Sequence, residues 1–418
     1  MRHVIVLGAG VVGVATAWYL RQKGFDVTVI ERRPLPASET SYANGGQISV
    51  SHAEPWAQPG APLKILPWLL RADAPLLFRP HWDTAQWAWC LQFLHECLPH
   101  RSARNTAANV ALGLYSRSSL IELSGQLGLE YARAMRGILQ ICSTASGLKS
   151  AAHAVRLMQA NGCEVRMVGP EEARAIEPAL RHSQISILGG TWAEQDFSGD
   201  AKLFTRGLTQ AARQAGVIFR LGAEIDRLET DQTHVTGVWL RDEEGGYERL
   251  AADDYVVSLG PQSRGLMLPL GINLPIYPAK GYSITLPIED ESRAAQASIT
   301  DEAQKIVFSR LGGYVRAAGT AELAGYDKHL NPVRVAAILA RCMQYFPGVG
   351  DPAKARAWTG LRPATPANVP LIGRSRLGNL HLNTGHGTLG WTHACGSARA
   401  LAELMAGEKP PIPFPFLR

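Results

Sequence analysis

Cysteine is scarce in this chain, and its few cysteines follow no pattern of metal or disulfide chemistry. No two of them form a C-x-x-C pair, and their spacing suggests neither a zinc site nor a disulfide framework. We therefore expect no bound metal and a reduced, cytoplasmic setting. The 418 residues hold only six cysteines, Cys90, Cys97, Cys142, Cys163, Cys342 and Cys395.

Long apolar runs are missing as well. No apolar stretch reaches the roughly 18 residues that a helix needs to span a bilayer. The first apolar run begins at residue 3 or 4, which is too early for a signal peptide to precede it. We therefore expect a cytoplasmic protein, and any membrane contact is expected to be peripheral, on the cytoplasmic face of the inner membrane.

A strong excess of one charge is also absent. Lysine and arginine number 42 against 36 acidic residues, for a net charge of +6. No basic stripe or extension stands out, so we expect no nucleic-acid partner. The balance suits an anionic cofactor, an anionic substrate or an acidic membrane surface. With 46% hydrophobic residues over this length, the chain is expected to form two globular domains.

What the N-terminus does contain is a nucleotide-binding fingerprint. An apolar run from Val4 leads into Gly8, Gly10 and Gly13, and a helix and a second apolar run follow, ending at Glu31. In such a unit the first glycine permits a tight turn, the second admits a pyrophosphate, and the third lets the helix pack close to the strand. The helix N-terminus favours phosphate, and the acid can bind ribose hydroxyls. The sequence therefore predicts a bound dinucleotide.

Three later segments favour FAD over NAD. Residues 40–48 form a loop of small polar residues and glycines that can fold over a pyrophosphate and offer backbone N–H groups to a flavin. Residues 254–260 predict a buried strand that ends in glycine, and residues 382–392 predict a strand, a glycine turn and a helix start. A helix N-terminus aimed at the pyrimidine edge of a flavin stabilises negative charge on the reduced ring. An NAD enzyme has no need of this second site.

With these segments the whole chain resembles the bacterial FAD-dependent D-amino acid dehydrogenases, which belong with D-amino acid oxidase, glycine oxidase and sarcosine oxidase. The fingerprint is shared by many flavoproteins, whereas the last two of the following motifs are specific to the dehydrogenase branch. The further motifs are Asn44-Gly45-Gly46-Gln47-Ile48, Trp56-Ala57-Gln58-Pro59-Gly60, Tyr277-Pro278-Ala279-Lys280-Gly281-Tyr282-Ser283, Trp358-Thr359-Gly360-Leu361-Arg362-Pro363 and the run from Asn383 to Trp391.

The resemblance implies an α/β fold, in which a Rossmann-type FAD-binding domain is interleaved with an antiparallel-sheet substrate domain, as in D-amino acid oxidase. We expect residues 1–62, 137–260 and 355–418 to form the FAD-binding domain, and residues 63–136 and 261–354 the substrate-binding domain. The residues expected to bind FAD are Gly8, Gly10, Val11, Val12, Gly13, Glu31, Arg32, Arg33, Ser41, Asn44, Gly45, Gly46, Gln47, Ile48, Glu224, Ile225, Gly260, Arg362, Gly385, His386, Gly387, Thr388, Leu389 and Gly390.

The resemblance also implies a reaction, the oxidation of an amino acid at its α-carbon. Hydride passes to flavin N5, and the imino acid hydrolyses to a 2-oxo acid and ammonia. The substrate carboxylate needs a partner, for which a bidentate arginine is suited. By resemblance to glycine oxidase, Arg310 is the first candidate and Arg316 the second. Tyr282 can add a hydroxyl, and His386 lies in the final glycine turn, where its N–H or its side chain can face the flavin. Arg362 is expected to support the flavin loop.

The attachment of FAD can also be predicted. Sarcosine oxidases tether FAD through a cysteine shortly before a Thr-Pro pair. Here Thr365-Pro366 follows residues 360–364, which contain no cysteine. We therefore expect non-covalent FAD.

Electrons are expected to pass to a quinone or a dye, because the resembling dehydrogenases use membrane quinones. An aromatic segment with basic residues suits contact with acidic lipid, although ordinary helices packed on the domain surface, or a lid, explain it as well. This segment contains Trp56, Trp68, Trp82, Trp87 and Trp89, with Lys64, Arg71 and Arg79.

Several alternative functions stay open at this point. A dehydrogenase of D-proline or 4-hydroxy-D-proline would carry the same motifs, and so would an oxidase that uses O2. A flavoprotein that modifies RNA would want a basic extension, which this chain lacks. A subunit that binds FAD and leaves the chemistry to a partner is a further possibility.

Overall fold

The computed structural model describes residues 1–65, 74–242 and 244–418, with only the backbone of Lys64. The α-helices are α1 (Val11–Gln22), α2 (Ala61–Ile65), α3 (Thr84–Glu96), α4 (Pro99–Gln126), α5 (Ala145–Ala160), α6 (Pro170–Ile176), α7 (Ala201–Gln214), α8 (Ser263–Met267), α9 (Pro332–Tyr345) and α10 (Gly390–Met405).

The strands of the N-terminal two thirds are β1 (His3–Leu7), β2 (Asp26–Glu31), β3 (Gln47–Ile48), β4 (Leu76–Phe78), β5 (Ile138–Cys142), β6 (Arg166–Val168), β7 (Gly189–Ala193), β8 (Phe197–Ser198), β9 (Ile218–Leu221), β10 (Glu224–Thr230), β11 (Val235–Arg241), β12 (Tyr247–Leu250) and β13 (Asp254–Val257). Those that follow are β14 (Tyr277–Pro287), β15 (Ser298–Asp301), β16 (Ile306–Leu311), β17 (Tyr314–Leu323), β18 (Arg356–Ala364), β19 (Leu371–Arg374) and β20 (Leu380–Thr384).

A six-stranded sheet in the order β19-β20-β13-β1-β2-β9 forms the nucleotide-binding layer. Its strands run parallel apart from β19. Side chains alternate across β1, because successive residues of a strand face opposite sides. Val4 and Val6 pack against α1, α4, α7 and α10, while Ile5 and Leu7 pack against the β10-β11-β12 meander. Both faces of the sheet are therefore covered.

The second layer is a nine-stranded sheet with a largely antiparallel pattern. Its order is β18-β14-β17-β16-β15-β5-β7-β6, and β4 pairs with β17. On one face α9 packs through Ile338 and Tyr345 onto Ile284 and Phe308. The opposite face is turned towards the loop that precedes β3. The predicted fold class, a parallel nucleotide-binding layer with an interleaved antiparallel sheet, is confirmed.

Sheet membership differs from the expected domain boundaries in several segments. Strands β5, β6, β7 and β18 were assigned to the FAD-binding domain, yet all four belong to the nine-stranded sheet, where β5 pairs with β15 and β18 pairs with β14. Helix α4 was assigned to the substrate domain, yet it packs on α10 beside the parallel sheet. Sequence pattern defines elements but not which partner they pair with over long distances, so the domain division itself stays a prediction.

In the part of the chain that the structure describes, no helix combines the length and the apolar character that crossing a bilayer requires.

A buried ion pair joins the two layers. Arg117 of α4 donates from Nη1 to Oδ1 of Asp196 at 2.9 Å, and Oδ2 of Asp196 accepts from the backbone N–H of Ser51 at 2.9 Å. Asp196 is 1% exposed and Arg117 9% exposed. Removing the arginine would leave a buried carboxylate without its counter-charge.

We expect Arg117→Met to lower the free energy of unfolding by about 3–5 kcal/mol, because a buried charge loses its partner. Urea unfolding followed by circular dichroism measures this. Arg166→Met is the matched control: Arg166 pairs with Glu172 at the protein surface, and an exposed pair is worth only about 0–1 kcal/mol. Equal losses for both variants would contradict a structural role for the buried pair.

Candidate active site

A large cavity of about 1960 Å³ lies between the two sheets. Its walls include the carboxyl ends of β1, β2, β13 and β20, which is where ligands bind in open parallel sheets. Other parts of its lining come from the nine-stranded sheet, from α3, α5 and the start of α10, and from the loops before and after β3.

The N-terminal fingerprint forms one end of this cavity. Gly8 has a φ of +107°, which residues with a Cβ rarely adopt. A Cβ at Gly13 would overlap the carbonyl oxygen of Gly8. The helix therefore approaches the strand more closely than any side chain would allow. At the N-terminus of α1, the N–H of Val11 donates to Oγ of Ser41 at 3.1 Å. This bond ties residues 40–48, the predicted flavin-binding loop, to the fingerprint.

Glu31 ends β2 and lines the same end. Its Oε2 accepts from the N–H of Ala9 at 2.9 Å, and its Oε1 accepts from the N–H of Arg33 at 2.9 Å. These bonds fix the carboxylate at the edge of the cavity. Arg32 and Arg33 each form a salt bridge with Glu39.

Most residues that were predicted to bind the cofactor line this cavity. They are Gly8, Gly10, Val11, Val12, Glu31, Arg32, Ser41, Asn44, Gly45, Gly46, Gln47, Glu224, Ile225, Gly260, Arg362, His386, Gly387, Thr388, Leu389 and Gly390.

Four of the predicted cofactor residues do not line it. Gly13 is packed beneath Gly8, and Ile48 is fully buried in the core beneath the loop. A Cβ at Gly385 would press on Thr365 behind the final turn. Arg33 lines a small neighbouring pocket instead.

The loop before β3 lies flat on the nine-stranded sheet. Oγ of Ser283 donates to the carbonyl of Ala43 at 2.8 Å, and Oγ of Ser309 donates to the carbonyl of Gly45 at 2.7 Å. Nε2 of Gln47 lies 3.3 Å from Oγ1 of Thr300. The loop is thus fixed on three different strands. The turn of residues 387–389 and the N-terminus of α10 lie in the same cavity.

His386 holds that turn to the helix behind it. Its Nε2 lies 3.0 Å from Oγ of Ser397 on α10, and the residue is 3% exposed. Burial, together with the nearby ring of His393, lowers the pKa of His386 to about 3. Its imidazole is therefore neutral and hydrogen-bonded within the protein. The expectation that the His386 side chain acts in catalysis is not supported by this geometry.

Arg310 was the first candidate for the substrate carboxylate, and its position contradicts that prediction. Ile306 and Phe308 of β16 face α9, and Arg310, two residues on, lies on the same face. Val307 instead faces the cavity. Nη2 of Arg310 forms a salt bridge with Oε2 of Glu291 at 2.6 Å. The Arg310 side chain therefore points to the face covered by α9, away from the cavity.

Arg316 shares the cavity side of β17 with Ala318 but lies beneath the flavin-binding loop. Its Nε donates to Oγ1 of Thr285 at 2.9 Å, and its Nη1 lies 3.4 Å from the carbonyl of Asn44. Asp200 is 3.7 Å away. Burial lowers the pKa of Arg316. It does not line the cavity, so it supports the loop and does not reach a substrate there.

Arg362 of β18 lines the cavity on the side of the nine-stranded sheet, whereas Arg32 and Arg156 line other parts of it. Its Nη1 donates to the carbonyl of Thr320 at 2.9 Å. No carboxylate lies within ion-pair distance of it among residues 1–65, 74–242 and 244–418. Burial, with the nearby charge of Arg334, lowers its pKa to about 10. Arg362 is still a cation at neutral pH.

Gly281 makes room for this guanidinium. A Cβ at Gly281 would overlap Nη1 and Cζ of Arg362. Gly281 pairs with Gly360 on the adjacent strand. In the sequence, Arg362 is a lone basic residue among small and apolar neighbours. That pattern predicts a role in supporting the flavin loop, whereas the structure places the residue at the cavity.

Tyr282 lines the cavity, but its hydroxyl is already used. The hydroxyl donates to Oε2 of Glu322 at 2.6 Å. Glu322 also lies 2.6 Å from Nε of Arg79 and 3.3 Å from Nζ of Lys280, and Lys280 pairs with Asp327 at 2.7 Å. Burial raises the pKa of the Tyr282 phenol. Tyr282 is therefore part of a buried charged network beside the cavity.

These residues fit FAD. The close approach of α1 to β1 leaves a cradle that a Cβ would fill, with a helix N-terminus pointing into it. A second helix, α10, begins in the same cavity. The cavity therefore offers one helix N-terminus for the pyrophosphate and another for the flavin ring of FAD.

Comparison with known proteins agrees with this fit. A family model described as FAD dependent oxidoreductase matches residues 3–404. A protein of Dechloromonas aromatica named D-amino acid dehydrogenase is 51% identical and is covered over 100% of both chains. One of the same name from Paramagnetospirillum magneticum is 48% identical, over 97% of this chain and 95% of the other.

Solved structures show the same fold. Glycine oxidase from Geobacillus kaustophilus superposes with a TM-score of 0.75 at 18% identity, over 99% of this chain and 97% of that one. L-proline dehydrogenase from P. horikoshii superposes with a TM-score of 0.74 at 18% identity, over 99% and 95%. By sequence, fold and cofactor cradle, the chain belongs to the family of FAD dependent oxidoreductases.

Proposed function

We propose that this protein is an FAD-dependent dehydrogenase of D-amino acids. The observation that carries the proposal is the guanidinium of Arg362, a half-buried cation without a carboxylate partner in the described structure, set in the flavin end of the cavity. An amino acid supplies the missing carboxylate. The D-amino acid dehydrogenases that are 42–51% identical to this chain support the choice of substrate.

The reaction removes a hydride from the α-carbon and leaves an imino acid, which water converts to a 2-oxo acid and ammonia. FAD, when bound, supplies the two-electron acceptor. Arg362 holds the substrate carboxylate and so fixes the position of the α-carbon. The N-terminus of α10 presents its positive dipole end where negative charge develops. Trp56, Trp358 and Tyr326 give part of the cavity an aromatic lining.

Turnover assays test this function and separate it from its alternatives. We expect D-alanine to reduce a dye in the presence of the purified holoenzyme and to yield a 2-oxo acid and ammonia. A strict preference for D-proline or 4-hydroxy-D-proline would instead indicate a dehydrogenase of cyclic amino acids. Turnover with O2 alone at the same rate would indicate an oxidase. No turnover by the isolated chain with any amino acid would refute the proposal.

Replacing Arg362 tests the residue assignment. We expect Arg362→Gln to lower kcat/KM for D-alanine by about 10²–10³-fold, because two charge-assisted hydrogen bonds to the carboxylate are lost. The dye-reduction assay measures this, and the flavin absorbance of the variant confirms that FAD is still bound.

Arg310→Gln is the matched control, because Arg310 lies on the opposite face of the sheet, paired with Glu291. We expect its kcat/KM to stay within about threefold of the unaltered protein, as for a surface substitution. The assignment is refuted if the Arg310 variant loses activity and the Arg362 variant keeps it.

FAD is proposed to bind without a covalent bond. Two thiols line the cavity, Cys90 and Cys142. Burial raises the pKa of both, that of Cys142 to about 11. At neutral pH they are protonated and are poor nucleophiles. Precipitation with trichloroacetic acid is expected to leave the yellow flavin in the supernatant; yellow colour in the washed pellet would contradict this.

We also propose that the reduced enzyme passes electrons to a quinone at a membrane surface, on the cytoplasmic side. Helix α3 buries Trp89 and Phe93 and exposes Trp87, Leu91 and Leu94 along one stripe. Such an exposed apolar stripe is typical of contact with a partner or a lipid surface. Trp68 and Arg71, which belong to the same aromatic segment, lie outside the described residues.

Liposome co-sedimentation tests the membrane contact. We expect the protein to sediment with anionic vesicles at low salt, and Leu91→Glu to lower the bound fraction by about tenfold, since one buried side chain is worth roughly 1.5–3 kcal/mol. Leu203→Glu, an exposed leucine of α7, is the matched control and should bind as before. Equal binding by the two variants would refute the role of α3.

A further inference from the structure

The cavity continues beyond Arg362 into a second region, which we call the polar arm. Ligand cavities are usually about 300–1,000 Å³, so one of about 1960 Å³ has room for more than a cofactor and a small amino acid. The polar arm is bounded by His52, Glu54, Ser143, His153, Glu302 and Lys305. Its charged and polar groups take no part in the reaction described above.

His52 brings an unsatisfied imidazole to this arm. Both of its ring nitrogens are buried, and neither has a hydrogen-bond partner in the described structure. A buried polar group without a partner is costly, and such groups are rare in native proteins. Burial lowers the pKa of His52, with Glu302, Lys305 and Asp196 as its charged neighbours. The ring is therefore neutral, and one of its nitrogens accepts a hydrogen bond from the arm once the side chain turns towards it.

Glu54, two residues further on, is an acid without a counter-ion. It forms no salt bridge with any described residue, and the amide of Gln58 is its hydrogen-bond partner. Burial raises the pKa of Glu54, and the charge of Glu302 raises it further, while Lys305 and His153 lower it. A cation beside this carboxylate would offset the free-energy cost of burying its charge and the repulsion from Glu302.

The other charges of the arm are already balanced or stand in water. Glu302 pairs with Lys305 and accepts from Nε2 of Gln140 at 2.8 Å. Lys149, His153 and Arg156 lie on the exposed side of α5, where solvent screens their charges. Glu54 is thus the uncompensated charge inside the arm.

The arm lies across the sheet from Arg362. Strands β14 and β17 separate β18, which carries Arg362, from β16, which Lys305 precedes. The guanidinium of Arg362 already reaches the carbonyl of Thr320 on β17, so about one strand spacing of roughly 5 Å separates it from β16. Glu54 interacts with the charges of Glu302 and Lys305 at this end of the floor. The side chain of an amino acid held at Arg362 can therefore extend towards Glu54.

We propose that Glu54, assisted by His52, binds an ammonium group of the amino acid substrate, so that the polar arm selects D-amino acids with a basic side chain. The inference rests on the proposed function, since it takes the substrate to be an amino acid held at Arg362. The same carboxylate could meet the α-ammonium of a short substrate, and the experiment separates the two sources.

The first measurement needs no turnover. Oxidised holoenzyme is titrated with 5-aminopentanoate and with pentanoate, which share the carboxylate and lack an α-amine, and binding is followed by the flavin absorbance difference. We expect 5-aminopentanoate to bind about tenfold more tightly, as a hydrogen bond to a charged group allows. Glu54→Gln should remove this difference and leave pentanoate binding unchanged.

Glu194→Gln is the matched control, because Glu194 is an exposed acid outside the cavity. It should keep the tenfold preference. His52→Gln should weaken the preference by a smaller factor. If 5-aminopentanoate and pentanoate bind equally to the unaltered protein, or if Glu54→Gln keeps the preference, the inference is overturned.

Turnover then identifies the source of the ammonium group. A fall of about tenfold in kcat/KM for D-lysine with little change for D-alanine assigns Glu54 to the side chain. An equal fall for both assigns it to the α-ammonium. No fall for either substrate overturns the inference, whereas failure of the unaltered protein to oxidise D-alanine or D-lysine would refute the proposed function itself.

Discussion

A half-buried positive charge without an acidic partner in the described structure is the constraint on which the account of this structure depends. Arg362 lies in the cavity on β18, donates to the carbonyl of Thr320, and has no acid beside it in the described structure. Other buried or partly buried arginines of the same sheet are compensated, Arg310 by Glu291 and Arg316 by Asp200. A carboxylate ligand completes what the fold leaves incomplete.

The fold brings this charge to the flavin end through long-range pairing. The nucleotide end is built from one continuous unit, β1-α1-β2, and the flavin-binding loop follows it directly in the chain. The floor of the other end is assembled from β5, β15, β16, β17, β14 and β18, which are spread over most of the chain. Serines 283 and 309 fasten the loop to that floor. The reaction site therefore exists only once both sheets are formed.

This difference explains what could be predicted from the sequence. The fingerprint, Glu31 and the loop through Gln47 are local patterns, and the structure places them in the cavity as expected. Arg362 reaches the cavity because β18 pairs with β14, which lies far from it in the chain. The face that Arg310 presents depends on which side of β16 is covered by α9, a tertiary contact that the sequence does not reveal. The long-range pairing of β5 with β15 could not be foreseen either.

The polar arm and the apolar stripe of α3 extend the same logic to substrate choice and electron transfer, because each is a group of side chains left without a partner.

The most direct test of the central claim is a crystal structure of the FAD-bound protein with 2-oxobutanoate. The account predicts both carboxylate oxygens within about 3 Å of the Arg362 guanidinium nitrogens. A carboxylate held elsewhere, with Arg362 free of it, would contradict the account.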